Sequence, residues 1–300
     1  MSINDLHERA KERAYYMYSN GDKSNNDDRY ARALKIEQKL DKVIGDDLTF
    51  LKESDIELLT ESQINALNVI NQKCKKRHNY IVQKLSRYQP TPDTFLRKIF
   101  ADIPLYINFP LEHINDIAND THYRNQFETN RSSGTLCRNT RTAWESDLFD
   151  SSYNSATDFE RPKYGNFPIN VDDVNKNHRP NYNAYDYGPS YFVLKNEVKH
   201  RTTICQGDSS DESSNALGNF NYPCDIFHHY ESTFQDITTY GHTDGHEYTE
   251  IQIHGPIRLD ADIESFHYPA GHGYETMYNN AFELLKNKGI KICSYCCTWT

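Results

Sequence analysis

The stretch Tyr248-Thr249-Glu250-Ile251-Gln252-Ile253-His254-Gly255-Pro256 constrains this chain more than any other. Side chains on a strand point alternately to opposite faces. Tyr248, Glu250, Gln252 and His254 therefore share one face, and Thr249, Ile251 and Ile253 the other. Gly255-Pro256 ends the pairing, because proline has no N–H for a ladder. A phenol, an acid, an amide and an imidazole on one face admit two readings. Either the strand lies at a sheet edge with that face in solvent, or it turns the face into a cleft.

A length of 300 residues suits one large domain, or one domain with a helical extension. The 14 Phe and 22 Tyr supply large surfaces for a core. A formal charge of −10 repels phosphate backbones, so nucleic acid is excluded as the main partner. No apolar run reaches the roughly 18 residues of a membrane span. The start, Met1-Ser2-Ile3-Asn4-Asp5, has neither a basic nor an apolar region, so no Sec-type signal is expected. Seven cysteines include one CxxC, Cys293 to Cys296, with no second pair to complete a zinc site. Ordinary reduced cysteines are expected.

Taken in order, the chain predicts helices over Leu6–Met17 and from about Asp28 to Gly45. A longer helix follows Thr60-Glu61-Ser62-Gln63, which has the pattern of a capping box. Ile64, Leu67, Ile70, Cys74, Ile81 and Leu85 give that helix its apolar face. Its basic cluster, Lys73, Lys75, Lys76, Arg77 and His78, reads as solvated. Beyond Leu105 the texture changes to short strands, near Leu105–Phe109, Tyr164–Ile169, Tyr191–Lys195, Thr202–Gln206 and 247–253. Helices are expected at Ala143–Phe149, Asp260–Phe266 and Glu275–Lys286. The tract Asp208-Ser209-Ser210-Asp211-Glu212-Ser213-Ser214 reads as a mobile loop. Helices first and strands later indicate an α+β fold, with a helical N-terminal region over 1–104 and a second domain over 105–300.

GxGxxG, GxxxxGK[ST], HExxH, GxSxG and EF-hand patterns are all absent. His228-His229 and the His242/His246 pair are metal candidates, but the latter sits in a Gly-rich turn without helical geometry, and no metal site is expected. An arginine at Arg124, a polar cluster in the middle and a carboxylate at Glu250 remain. That set suits an anionic cofactor and a developing cation.

Four blocks carry a resemblance: His122-Tyr123-Arg124-Asn125-Gln126-Phe127-Glu128-Thr129, Glu160-Arg161-Pro162-Lys163-Tyr164-Gly165, Arg201-Thr202-Thr203 with Gly207-Asp208-Ser209, and Tyr248 to Pro256. With the helix from Leu59 to Ile70, they resemble the successive blocks of the DUF3626 family, over about residues 58–285. That family is in turn similar to mono-ADP-ribosyltransferases of the Arg–Ser–Glu type. The resemblance implies an ADP-ribosyltransferase-like split β-sandwich that uses NAD as co-substrate. Arg124 matches the arginine of the first element and Glu250 the catalytic glutamate. No Ser-Thr-Ser is found, and the strand from Arg161 to Gly165 takes that slot. Tyr248 stands where arginine-specific transferases usually carry Glu or Gln.

By the same resemblance, Arg124, Arg161, Tyr164, Gly165 and Ser190 are cofactor-side residues. Tyr248 and Gln252 face the acceptor, and His254 is structural. The implied activity is transfer of ADP-ribose to a protein side chain of a host target, with arginine the expected acceptor. The implied setting is a bacterial effector, made in the bacterial cytoplasm and acting in the host cytosol. Two alternatives stay open: an NAD glycohydrolase, and a non-enzymatic module whose polar strand face contacts a protein.

Overall fold

The computed structural model describes residues 51–86, 97, 100–101, 103–131, 137–167, 184, 187–212, 214–222, 249–271 and 273–295. The helices expected at Leu6–Met17 and 28–45 lie outside the described residues, as does Tyr248.

Two helices, α1 (Glu53–Leu58) and α2 (Glu61–Leu85), come first. At the head of α2 the Gln63 side chain accepts from the Thr60 N–H at 2.9 Å, which is one arm of the expected capping box. The strands follow: β1 (Leu105–Phe109), β2 (His122–Tyr123), β3 (Lys163–Asn166), β4 (Ser190–Leu194), β5 (Thr202–Gln206), β6 (Leu217–Asn219), β7 (Thr249–Ile253), β8 (Ile257–Arg258), β9 (Ile263–Pro269) and β10 (Lys291–Tyr295). Helices α3 (Ile114–Ala118), α4 (Gln126–Thr129) and α5 (Arg138–Leu148) lie between β1 and β3, with α6 (Tyr274–Met277) and α7 (Asn279–Asn287) before β10.

Among the described residues, eight strands form one sheet in the order β10-β9-β4-β1-β3-β7-β5-β6, and β2 pairs with β8 in a separate ribbon. All pairings are antiparallel except β9 with β10. The fold is thus a mixed helix-and-strand protein built on a large, mostly antiparallel sheet. Among the described residues, no helix is long and apolar enough to cross a membrane.

The strand that opened the sequence reading is central. β7 pairs with β3 on one side and with β5 on the other, so the edge-strand reading is wrong. Its alternation is real. Ile251 and Ile253 enter the main core with Ile107, Phe109, Phe192, Ile204 and Phe266. The opposite face meets α2 and α5, where Ala66, Ile70 and Cys74 pack with Leu148, Phe149, Tyr153, Cys205 and Leu217. Helix α2, drawn from the expected N-terminal region, therefore shares a hydrophobic cluster with the sheet.

Gly255 closes β7 at φ +83°, and a Cβ there would come within 2.5 Å of the Leu59 side chain. The same corner is tied by the Arg201 guanidinium, which donates to the His254 carbonyl at 2.7 Å and pairs with Asp262 at 3.1 Å.

Three expectations need correction. The stretch from Asp260 to Phe266 is not helical: Asp262 accepts from the Arg258 N–H at 2.7 Å, forming a turn, and β9 starts at Ile263. Because β9 lies between β4 and β10 and is buried on both faces, its sequence lacks the polar alternation that marks a half-exposed strand. The described residues of the 208–214 tract do not form an exposed loop. They include a short 3-10 turn (Ser209–Asp211) that buries Ser209 and is followed by the buried Ser214. Finally, the basic cluster of α2 is only partly solvated. Lys73 reaches Asp150, just after α5, at 2.8 Å and also donates to Ser214 Oγ, and Arg77 donates to the Leu217 carbonyl at 3.0 Å, so the pair straps the end of α5 and the approach to β6 to the helix.

Candidate functional site

A cleft of about 1230 Å³ opens over the polar face of β7. Its floor is built by β3 and β7, where Asn166 stands opposite Glu250 and Tyr164 opposite Gln252. One wall comes from Arg141, Trp144 and Leu148 on α5, and another from the Asp208–Ser210 turn. Residues between His122 and Arg131, Arg124 and Glu128 among them, also line the cleft.

Glu250 is the carboxylate on that floor, 6 % exposed. Ser209 Oγ donates a short hydrogen bond to its Oε1, and Gln252 Nε2 donates to the same oxygen at 2.8 Å. Burial pushes its pKa up to about 7, opposed by those two donors and assisted by nearby Asp208.

Behind Glu250 runs a relay in one direction. Tyr153 bonds His254 Nδ1 at 2.6 Å, His254 Nε2 meets Thr203 Oγ1 at 3.1 Å, and Thr203 donates to Gln252 Oε1 at 2.9 Å. Gln252 then donates to Glu250. Burial lowers the His254 pKa to about 3, so the ring is neutral and carries one proton. With Thr203 donating to Gln252, that proton sits on Nε2 and the Tyr153 hydroxyl donates to Nδ1. Each member of the chain thereby fixes the next, and the Gln252 amide is held with its N–H on the carboxylate.

Of the residues expected at the site, Arg124, Tyr164, Gly165 and Glu250 line the cleft. Arg124 is not on a strand of the main sheet. It follows the two-residue β2, is 48 % exposed, and pairs with Asp120 four residues earlier. Gly165 serves packing: a Cβ would lie 2.3 Å from the Tyr106 carbonyl of the adjacent strand. Gly165→Ala is expected to lower stability by about 1–3 kcal/mol by separating β1 from β3, measurable by urea unfolding.

Arg161, Ser190 and Gln252 do not line the cleft. Arg161 is buried and donates to Glu145 on α5, with its guanidinium 4.5 Å from the centre of the Phe127 ring. Glu145 in turn accepts from the Tyr164 hydroxyl at 3.2 Å. Ser190 is fully buried, paired opposite Phe109, and its Oγ has no hydrogen-bond partner among the described residues. Gln252 is fully buried, and both halves of its amide are used internally. In this position it is sealed off from the cleft.

Sequence reasoning passed over Ser209, His122, Glu128 and Asn166. Ser209 was visible only as part of the Gly207-Asp208-Ser209 block. Asn166 has an orientation set by its neighbours: its Nδ2 donates to Asn108 Oδ1 at 2.6 Å, and Asn108 Nδ2 donates to the Gly188 carbonyl at 3.1 Å. Asn166 Oδ1 is left as a buried acceptor with no partner among the described residues. Lys163, also at the cleft, donates to the carbonyls of Phe159 and Arg161, and burial lowers its pKa to about 8. Among the described residues, no group of three or more His, Cys, Asp or Glu side chains is placed to hold a metal ion.

The arrangement is that of a cleft protein with one buried, donor-held carboxylate under a rim of arginines and aromatic rings. Residues 111–244 match the family model described as "Protein of unknown function (DUF3626)". That match spans β2 to β6 and stops before the strand that carries Glu250. No curated protein matches the chain.

Proposed function

We propose that the cleft binds NAD and that the protein transfers its ADP-ribose to a protein side chain, on an ADP-ribosyltransferase-like arrangement of strands. The observation that carries this reading is Glu250, a buried carboxylate on a cleft floor, held by Ser209 and Gln252. A carboxylate so placed holds a ribose hydroxyl and stabilises the positive charge that develops as nicotinamide leaves. Arg124, Arg131 and Arg141 along the cleft suit a pyrophosphate, and the Tyr164 and Trp144 rings suit flat bases. Asn166 Oδ1, an acceptor opposite Glu250, suits a hydroxyl-rich ligand. The volume of about 1230 Å³ exceeds the usual small-molecule pocket and has room for a dinucleotide and an incoming group. Arginine as acceptor, a host protein as target and a bacterial effector as setting follow the resemblance stated above.

A second reading, hydrolysis of NAD, draws on Gln252. With its amide fully engaged, Gln252 offers nothing to an acceptor side chain, and water needs no such contact. Labelled NAD incubated with the protein and a host lysate separates the two: label on a protein band supports transfer, and free ADP-ribose without a band supports hydrolysis. Absence of both, with no thermal stabilisation by millimolar NAD, sinks the NAD reading. If NAD binds, stabilisation at one hundred times its Kd is about 2.7 kcal/mol.

Two further results are expected. Arg124→Ala leaves stability within about 1 kcal/mol, because the Asp120 pair is half exposed, and weakens NAD affinity about 10-fold by calorimetry. Turnover at low NAD rises with pH as the Glu250 carboxyl ionises through about 7 in the free protein, since only the anion stabilises a cation. A flat kcat/KM profile from pH 5.5 to 8.5 is the contrary result.

A further inference from the structure

The same cleft is lined by a histidine–carboxylate pair that the reading above leaves unused. His122, on β2, places Nε2 at 3.0 Å from Glu128 Oε1. The other carboxylate oxygen, Oε2, accepts from the Asn125 N–H at 2.9 Å, so Glu128 is held from both ends. A carboxylate accepts and does not donate, so in the neutral imidazole the proton lies on Nε2 and Nδ1 keeps its lone pair. The contact of Nδ1 is the neighbouring Thr121 hydroxyl at a long 3.4 Å. The ring plane is set by Phe159, which meets it edge to face with centroids 5.1 Å apart. The His122 side chain is 21 % exposed, enough to be reached, and both His122 and Glu128 line the same cleft as Glu250.

We infer that His122 is the general base of the reaction, deprotonating the nucleophile that attacks the ribose, with Glu128 as its positioning residue. The inference rests on the NAD reading. The nucleophile is water or the guanidinium N–H of an arginine acceptor. Its oxygen or nitrogen forms a bond to the anomeric carbon, and its proton passes to His122 Nδ1. The bond from that carbon to the nicotinamide nitrogen breaks, and its electron pair leaves with neutral nicotinamide. Imidazolium formed in this step is stabilised by the Glu128 carboxylate. Glu250 and His122 thus divide the work: one steadies the electrophile, and the other activates the nucleophile.

Azide tests this assignment, because it is a nucleophile with no proton to remove. The full-length His122→Gln protein is expected to release nicotinamide from NAD at least about 100-fold more slowly than wild type with water or lysate as acceptor. Added azide should restore nicotinamide release to within a few-fold of the wild-type azide rate, with ADP-ribosyl azide as product. Glu128→Gln, which keeps an acceptor for the Asn125 N–H, should show a smaller loss and the same azide rescue. Unchanged turnover in His122→Gln, or equal losses with water and azide, overturns the assignment while leaving the NAD reading intact. A wild-type protein that releases no nicotinamide under any of these conditions overturns both.

Discussion

On the NAD reading proposed above, Glu250→Gln is expected to lower turnover by about two to three orders of magnitude and, above neutral pH, to stabilise the fold. For activity, the substitution removes the only charge that Glu250 brings to the developing cation. Loss of one such preorganised group lowers turnover by about 10²- to 10³-fold, with NAD affinity nearly unchanged. For stability the sign runs the other way. Glu250 ionises near 4.5 in the unfolded chain and near 7 when folded, because burial disfavours its anion. Between those values the folded protein keeps a proton that the unfolded chain has released. Stability from this group is therefore complete below about 4.5 and is lost as pH rises through about 7. The shift corresponds to a cost on the order of 3 kcal/mol at pH 8. Glutamine has no charge to bury, and its carbonyl can still accept from Ser209 and Gln252. Urea unfolding of both proteins at pH 4.5 and pH 8 measures the difference. Burial raises Glu145 in the same direction, so the wild type keeps a slope from Glu145 that the variant shares. If Glu250→Gln loses activity and stability together at pH 8, Glu250 is a structural residue and not a strained catalytic one.

Arg161→Ala is expected to cost about 3–5 kcal/mol of folding stability, the penalty for leaving the partner carboxylate buried and unpaired. Arg161 and Glu145 have side chains only 7 % and 1 % exposed. Glu145 holds the Tyr164 hydroxyl and, through α5, positions Trp144 and Arg141 over the floor. The pair therefore shapes the cleft without entering it. A double variant, Glu145→Leu with Arg161→Met, should recover most of the loss, because apolar groups of similar volume need no counter-charge. Denaturation midpoints of the two single variants and the double give the coupling directly. The opposite pattern, a shift under about 1 kcal/mol in Arg161→Ala with a selective loss of NAD affinity, would return Arg161 to the ligand contacts.

Much of the local structure was legible. Apolar residues at helical spacing behind Thr60-Glu61-Ser62-Gln63 mark α2, and the alternation from Thr249 to His254 marks β7. Leu105–Phe109 and Thr202–Gln206 are strands with the bounds expected. The misreadings share one cause. β9 and the 208–214 tract owe their conformation to partners distant in sequence. β9 is a strand because β4 and β10 flank it, and Ser209 is buried because Glu250 receives it from 41 positions away. Arg161 lies outside the cleft lining for the same reason, since its carboxylate partner is on α5, beyond any local pattern.

By itself the sequence determined that Glu250, Gln252 and His254 share a face, because the two-residue period of a strand requires it. It also determined where that strand stops, because proline has no N–H to pair. Which of those residues would meet the cleft was decided only by tertiary structure. Thr203 on β5 captures Gln252 and His254 into a sealed relay, and the open end of the floor falls at Glu250 beside β3. Alternation assigns a face; the elements packed on that face decide which part of it stays within reach of a ligand.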